Sequence, residues 1–396
     1  MLVDRPALIT IREYLDDLLY ALVDLRLSFE LERTATGFPR FERLEVAVER
    51  LDPPHRVLHR LLRLGASVSD ADVRSTIPAA VLDAFVETQV LARTPVGHWQ
   101  TTGCLLVPVD GLLLFVGVPP SYPTASTPCR PWFDLSSFVI ARALPTSLAG
   151  ERVLDVCSGS GVQTLLCAMR GAASVVGLEI DAEAVETARA NAVLNALDAR
   201  VEFRVSNALG ALRGNERFDF VVCNTPYAPT LCGAALPAAP AQVGNAVLMA
   251  LLGVLPHHLS PRSRGIVGLW RTIGPGAWTH HRRVVTERLA EYGFTALAFV
   301  DRAPDTLESL MRAVRADLGD RPTTAGDRAA VEAAIRAMLV DAMSPVDGFH
   351  NEVITFRRGW AMSAAPGMAF GLTAGTVRPN GQEAVPRTLT SAAGGS

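Results

Sequence analysis

Residues 152–161 read RVLDVCSGSG, and the fold turns on this stretch. A short apolar strand leads to Asp155 and into a turn of small residues, Cys157, Ser158, Gly159, Ser160 and Gly161. The amphipathic run VQTLLCAMRGA follows at 162–172, and SVVGLEID at 174–181 makes a second apolar strand with Glu179 near its end. A strand, a glycine turn, a helix and a strand within about thirty residues form the nucleotide-binding βαβ unit. The glycines let the backbone approach a ligand, and an acid ending the second strand accepts ribose hydroxyls.

Downstream, ALDARVEFRVSNAL (196–209) predicts a third strand ending at Ser206-Asn207, and FDFVVCNTPY (218–227) a fourth ending at Asn224. A helix over 243–255 precedes a fifth strand, RGIVGLW (264–270); a helix over 281–292 precedes a sixth, GFTALAFVD (293–301); and NEVITFRRG (351–359) is a seventh. This alternation predicts an α/β fold over 121–360, a doubly wound, seven-stranded Rossmann-like sheet with a helical insertion near 304–343. The Ala- and Pro-rich segment 229–240 reads as a loop over the site, and the Ala/Gly/Ser/Thr/Pro-rich tail 361–396 as disordered.

Residues 1–120 read as a helical, winged-helix-like domain. Ile11, Tyr14, Leu15, Leu18, Leu19 and Leu22 share one stripe of a single helix over 8–32. Helices follow over 38–51, 55–65, 70–74 and 78–90, then two strands, 98–109 and 112–118, joined at Asp110-Gly111 by a hairpin turn. The candidate recognition helix, IPAAVLDAFVETQV (77–90), carries Asp83 and Glu87 and no basic residue. A helix entering a major groove needs Arg, Lys, Asn or Gln, so nucleic acid is not expected as a partner and the domain is assigned to choosing the substrate. The linker 119–131 (PPSYPTASTPCRP) then leads to a helix ending at Ala143 that Asp134 can cap. That helix would lie over the glycine turn, which makes Trp132, Phe133 and Asp134 candidate substrate contacts, with Trp270 on the same edge after the fifth strand.

The 37 basic residues are all arginine and face 40 acidic ones, for a net charge of −3. The absence of lysine excludes a pyridoxal Schiff base and a P-loop lysine. The six cysteines form no CxxC pair and read as reduced thiols of a cytoplasmic protein. No apolar run spans a bilayer, so no membrane partner is expected. The adjacent pairs His257-His258 and His280-His281 point apart on any regular element, so no metal site is expected. The oligomeric state is left open.

Gly159 and Gly161 are followed by Thr164 where a dinucleotide motif would place its third glycine. DVCSGSG resembles instead the first motif of class I S-adenosylmethionine-dependent methyltransferases. That resemblance implies S-adenosylmethionine as cofactor, with Asp155, Gly159 and Gly161 flanking its methionine part, Glu179 holding the ribose hydroxyls and Asn207 at the adenine amino group. Cys157, Ser158, Ile180, Ala208 and Asn224 are further candidate cofactor contacts. Asn224-Thr225-Pro226-Tyr227 resembles the (N/D)PPY signature of the nitrogen-directed group, which includes release-factor glutamine, guanine-N2 and adenine-N6 enzymes. Asn224 Oδ1 and the Thr225 carbonyl would each accept one N–H of the acceptor nitrogen, with Pro226 extending Thr225 and Tyr227 stacking on the planar group. The near-neutral charge and the odd NTPY favour a small molecule or peptide as acceptor, in specialised metabolism. Alternatives are an RNA, DNA or protein-glutamine acceptor, the cofactor itself as substrate with release of methylthioadenosine, and a non-catalytic cofactor-binding regulator.

Overall fold

The computed structural model of the chain describes residues 1–31, 39–119, 122–124, 135–225, 245–273, 280–300, 348–358 and 373–375. Trp132, Phe133, Asp134, Pro226 and Tyr227, the segment 229–240 and the insertion near 304–343 lie outside the described residues. Among the described residues, six helices open the chain: α1 (Arg5–Asp17), α2 (Tyr20–Glu30), α3 (Phe41–Val48), α4 (Pro53–Leu62), α5 (Asp70–Thr76) and α6 (Ala79–Glu87). The Asp4 carboxylate caps α1 by accepting from the Ala7 N–H, and Ser69 Oγ caps α5 by accepting from that of Asp72. Two small antiparallel ladders follow, β1 (Leu91–Arg93) with β2 (Trp99–Thr101) and β3 (Cys104–Val109) with β4 (Leu112–Gly117).

Two expectations for this region need correction. The single helix over 8–32 is broken at Leu19, whose φ of +54° is left-handed and ends the helical ladder. The break rotates α2 relative to α1. Ile11 and Leu15 are fully buried, but Leu19 and Leu22 are 60% and 59% exposed. The strand expected over 98–109 divides at Gly103 (φ +82°), so Trp99–Thr101 joins β1 and only Cys104–Val109 enters the hairpin. The hairpin turn is where the sequence places it: Asp110 and Gly111 both have positive φ, as a two-residue turn of this twist demands.

After α7 (Leu135–Ala143) the main sheet begins: β5 (Arg152–Val156), α8 (Val162–Met169), β6 (Ser174–Glu179), α9 (Ala182–Leu194), β7 (Val201–Val205) and β8 (Phe218–Cys223). It continues with α10 (Asn245–Val254), β9 (Leu259–Ile273), α11 (His280–Glu291), β10 (Phe294–Val300), β11 (Gly348–Arg358) and β12 (Thr373–Gly375). The strand order is β12-β10-β11-β9-β8-β5-β6-β7. Strands β5 to β9 pair in parallel, whereas β11 is antiparallel to β9 and to β10. All seven expected strands are present, and β12 adds three residues at one edge, a correction to the tail 361–396 expected to be disordered: Thr373–Gly375 pairs antiparallel with β10. The strands β5, β6 and β8 are buried over most of their length, as continuous apolar runs covered on both faces should be.

The chain runs outward from β5 through β6 to β7, then returns to the other side of β5 with β8. That reversal leaves a crevice beyond the carboxyl ends of β5 and β8, where doubly wound sheets bind ligands. The glycines shape its floor. A Cβ on Gly161 or Gly177 would stand 2.8 or 2.6 Å from the Phe203 ring, so that ring seats in a notch both must leave open.

The front residues are continuous with this sheet. Side chains of β3 and β4, among them Leu105, Val107 and Leu114, share one apolar cluster with Val153 and Leu165 of the βαβ unit and with Val185 of α9. On α9, Asn195 bonds both backbone groups of Leu113, and Asn191, one helical turn earlier, both of Phe115. Two side-chain amides thus stand in for a neighbouring strand along the free edge of β4.

Candidate active site

Asp155 is wholly buried at the end of β5. Thr164 donates its hydroxyl to Asp155 Oδ2 at 2.6 Å, so the residue standing where a third glycine is missing holds the acid of the motif. Burial pushes the Asp155 carboxyl up to about 7; the Thr164 hydroxyl opposes the shift and the Glu179 charge adds to it. A carboxyl with a raised folded pKa stabilises the fold fully below its unfolded value. That contribution falls as pH rises from about 4 to about 7. Asp155→Asn keeps an acceptor for Thr164 without the charge, so its melting temperature should lose less than the parent's across this window. Parallel melting curves for the two proteins would refute the assignment.

The glycine turn is pinned at each residue. Ser158 N–H donates to the Leu178 carbonyl, Gly159 N–H to Glu179 Oε2 at 2.9 Å, and Gly161 N–H to the Ser158 carbonyl. The Ser160 carbonyl accepts from Asn191 Nδ2 at 2.9 Å, so the amide that engages β4 also engages this turn. Glu179 Oε1 accepts from the backbone of Ile180 and Asp181. Cys157 adopts φ +62°, and its thiol is hydrogen-bonded to that of Cys223; this bond and burial raise the Cys223 pKa well above the ordinary thiol range. Beside Glu179, Ile180 is 64% exposed, a large apolar side chain at the rim. Asn207 is exposed after β7, and Ala208 next to it has φ +49°.

Across the crevice, Asn224 follows β8. Its Nδ2 donates to Ser136 Oγ at 3.0 Å and to Ser137 Oγ at 3.3 Å, both on α7 and both buried. Thr225 is buried, and its hydroxyl donates to the Gly268 carbonyl of β9, which ties the end of β8 to its neighbour. The switch point thus gathers Asp155, the glycine turn, Glu179, Ile180, Asn207, Ala208, Asn224 and Thr225. Trp270 lies on β9, antiparallel to Asn351 of β11.

Sequence reasoning missed Ser136, Ser137, Thr164, Asn191 and Gly268. Two adjacent hydroxyls in the apolar stretch LSSFVIARA, and two amides four residues apart in NAVLN, were the available signals.

Among the described residues, Asp155 Oδ1 and Ser158 Oγ are buried without a hydrogen-bond partner. Such orphaned atoms at a strand-end crevice fit a polar ligand. Residues 128–234 match the methyltransferase small domain.

The match encloses the glycine turn, Glu179, Asn207 and Asn224. Over longer spans the chain is similar to the ribosomal protein L11 methyltransferase of Neisseria gonorrhoeae, 34% identical over 46% of this chain and 55% of that one. It is also similar to the release factor glutamine methyltransferase of Agrobacterium fabrum, 35% identical over 37% of this chain and 51% of that one. A shorter match, 36% identical, covers 21% of this chain and 34% of the tRNA1(Val) (adenine(37)-N6)-methyltransferase of Porphyromonas gingivalis. The chain spans about half the length of the first two relatives. The resemblance to class I S-adenosylmethionine-dependent methyltransferases, read from DVCSGSG and NTPY, holds in these matches. None of the three carries a small-molecule name, so the small-molecule acceptor expected from the sequence finds no support there. The expectation that nucleic acid is not a partner finds none either, given the tRNA enzyme.

Proposed function

We propose that the chain is an S-adenosylmethionine-dependent methyltransferase that modifies a side-chain amide nitrogen of a protein. The observation that carries this reading is the Asn224 amide, fixed at the end of β8 across the crevice from the glycine turn. The similarity to a release factor glutamine methyltransferase favours a protein amide. The exposed face of α6, with Asp83, Val86 and Glu87, is acidic and suits a polyanion poorly.

When bound, S-adenosylmethionine supplies an electrophilic methyl group. Glu179 would accept the ribose hydroxyls, Ile180 would cover a ring face, Asn207 and Ala208 would stand near the adenine, and Asp155 and Ser158 would offer oxygens that have no partner among the described residues. Cys157, Gly159 and Gly161 shape the turn around the methionine part. An amide nitrogen is a poor nucleophile because its lone pair is delocalised into the carbonyl. Asn224 Oδ1 and the Thr225 carbonyl would each accept one of its N–H groups, which draws electron density onto nitrogen and aims it at the methyl group; the nitrogen–methyl bond would form as the methyl–sulfur bond breaks, with S-adenosylhomocysteine leaving and the amide's surplus proton passing to water. Pro226 and Tyr227 complete this wall by the same reading, the ring stacking on the acceptor. Residues 1–120, read from the sequence alone as winged-helix-like, would select the substrate, and Trp132, Phe133, Asp134 and Trp270 are proposed as its contacts.

The test is incubation with methyl-labelled S-adenosylmethionine and a cell extract separated into small-molecule, RNA and protein fractions. The expected result is label in protein, absent with Asn224→Ala. Label in RNA would favour the second reading, which the tRNA enzyme supports. Label in small molecules, methylthioadenosine without transfer, or binding without turnover would each overturn the proposal.

A further inference from the structure

We infer that Ser136 and Ser137 are positioning residues that hold the Asn224 amide in place at the methyl acceptor; this rests on the function proposed above. A primary amide has two ends of equal shape and opposite polarity. The proposed chemistry needs the oxygen toward the acceptor nitrogen, because an NH2 turned that way would oppose the N–H groups it should receive. Ser137 Oγ accepts from Nδ2 at 3.3 Å. Ser136 Oγ accepts from Nδ2 at 3.0 Å and also donates to Oδ1 at 3.2 Å, so it touches both ends of the amide. Two hydroxyls therefore take up the two Nδ2 protons.

The supporting architecture is specific to this arrangement. The Ser137 carbonyl accepts from Gln163 Nε2 at 3.4 Å, and Gln163 is itself buried on α8. A Cβ on Gly268 would stand 3.3 Å from Ile140 Cδ1 and 3.5 Å from Asn224 Oδ1. The missing side chain at Gly268 lets α7 approach β9 closely enough for both serines to reach across. At these two positions alanine keeps the helix and removes only the hydroxyls.

A double-mutant cycle in single-turnover methyl transfer tests this, with the labelled fraction of the preceding experiment as acceptor. Ser136→Ala/Ser137→Ala should slow transfer at least tenfold in the parent and less than twofold in an Asn224→Ala background. The dissociation constant for S-adenosylmethionine should stay within twofold throughout. A structural defect would cost the same in both backgrounds, and that result would overturn the inference, as would full activity of the double serine variant in the parent. If Asn224→Ala itself transfers methyl at the parent rate, the proposed function falls instead, and the two failures are told apart.

Discussion

Asn224→Ala is expected to slow methyl transfer by roughly 30- to 1,000-fold, a loss of about 2–4 kcal/mol of transition-state stabilisation, while the protein stays folded. The size follows from where the group stands. An oriented acceptor in a crevice acts on charge that develops only as the methyl moves, so its loss shows in kcat more than in KM. The fold has little at stake, because Asn224 lies outside the strand ladder and its neutral partners Ser136 and Ser137 lose only one amide. Melting temperature and cofactor affinity should therefore hold while turnover drops. An unchanged turnover number would remove the assigned role.

The second large effect is on stability and lies in the front helices. Asp24 and Arg63 pair at 2.8 Å with both side chains 4% exposed. Around them Tyr20 stacks on His59 with ring centroids 4.5 Å apart, and burial lowers the His59 pKa to about 4. The dry surroundings that keep His59 neutral make a lone charge costly. Asp24→Ala should destabilise the protein by about 3–5 kcal/mol, since it strands the Arg63 guanidinium. Replacing both partners, as Asp24→Leu/Arg63→Met, should recover most of that loss, because well-packed apolar side chains substitute for a buried pair at little cost. Chemical denaturation of the three proteins checks this. A single variant that unfolds at the parent's midpoint would show that water reaches the pair.

Strand positions and the crevice were legible in the sequence because they depend on local pattern. Apolar runs ending at Asp155, Glu179 and Asn224 announce strands and place their last residues at one edge of a parallel sheet. Helix breaks such as Leu19 were not legible, because the stripe continues smoothly across it and only the left-handed backbone ends the helix. The division at Gly103 was hidden for the same reason. Ser136 and Ser137 were out of reach for a different cause. Their meaning depends on contact with a residue 87 or 88 positions away, and no period or motif in LSSF encodes that distance. Thr164 is the instructive case: as a departure from a glycine motif it argued only against one ligand class, whereas in the fold it holds Asp155.

The two amides that α9 lends to β4 bear on how the chain can be divided. A fragment ending near residue 120 would carry the bare edge of β4, with the N–H and C=O groups of Leu113 and Phe115 open to any passing strand. Such an edge templates intermolecular pairing, so this fragment should aggregate on expression. The complementary fragment would keep the glycine turn but would leave Asn191 without its β4 partners and expose the apolar faces that β3 and β4 cover. The front residues and the glycine turn are thus joined into one structural unit, and an engineer wishing to swap the front region must carry the hairpin along with α9.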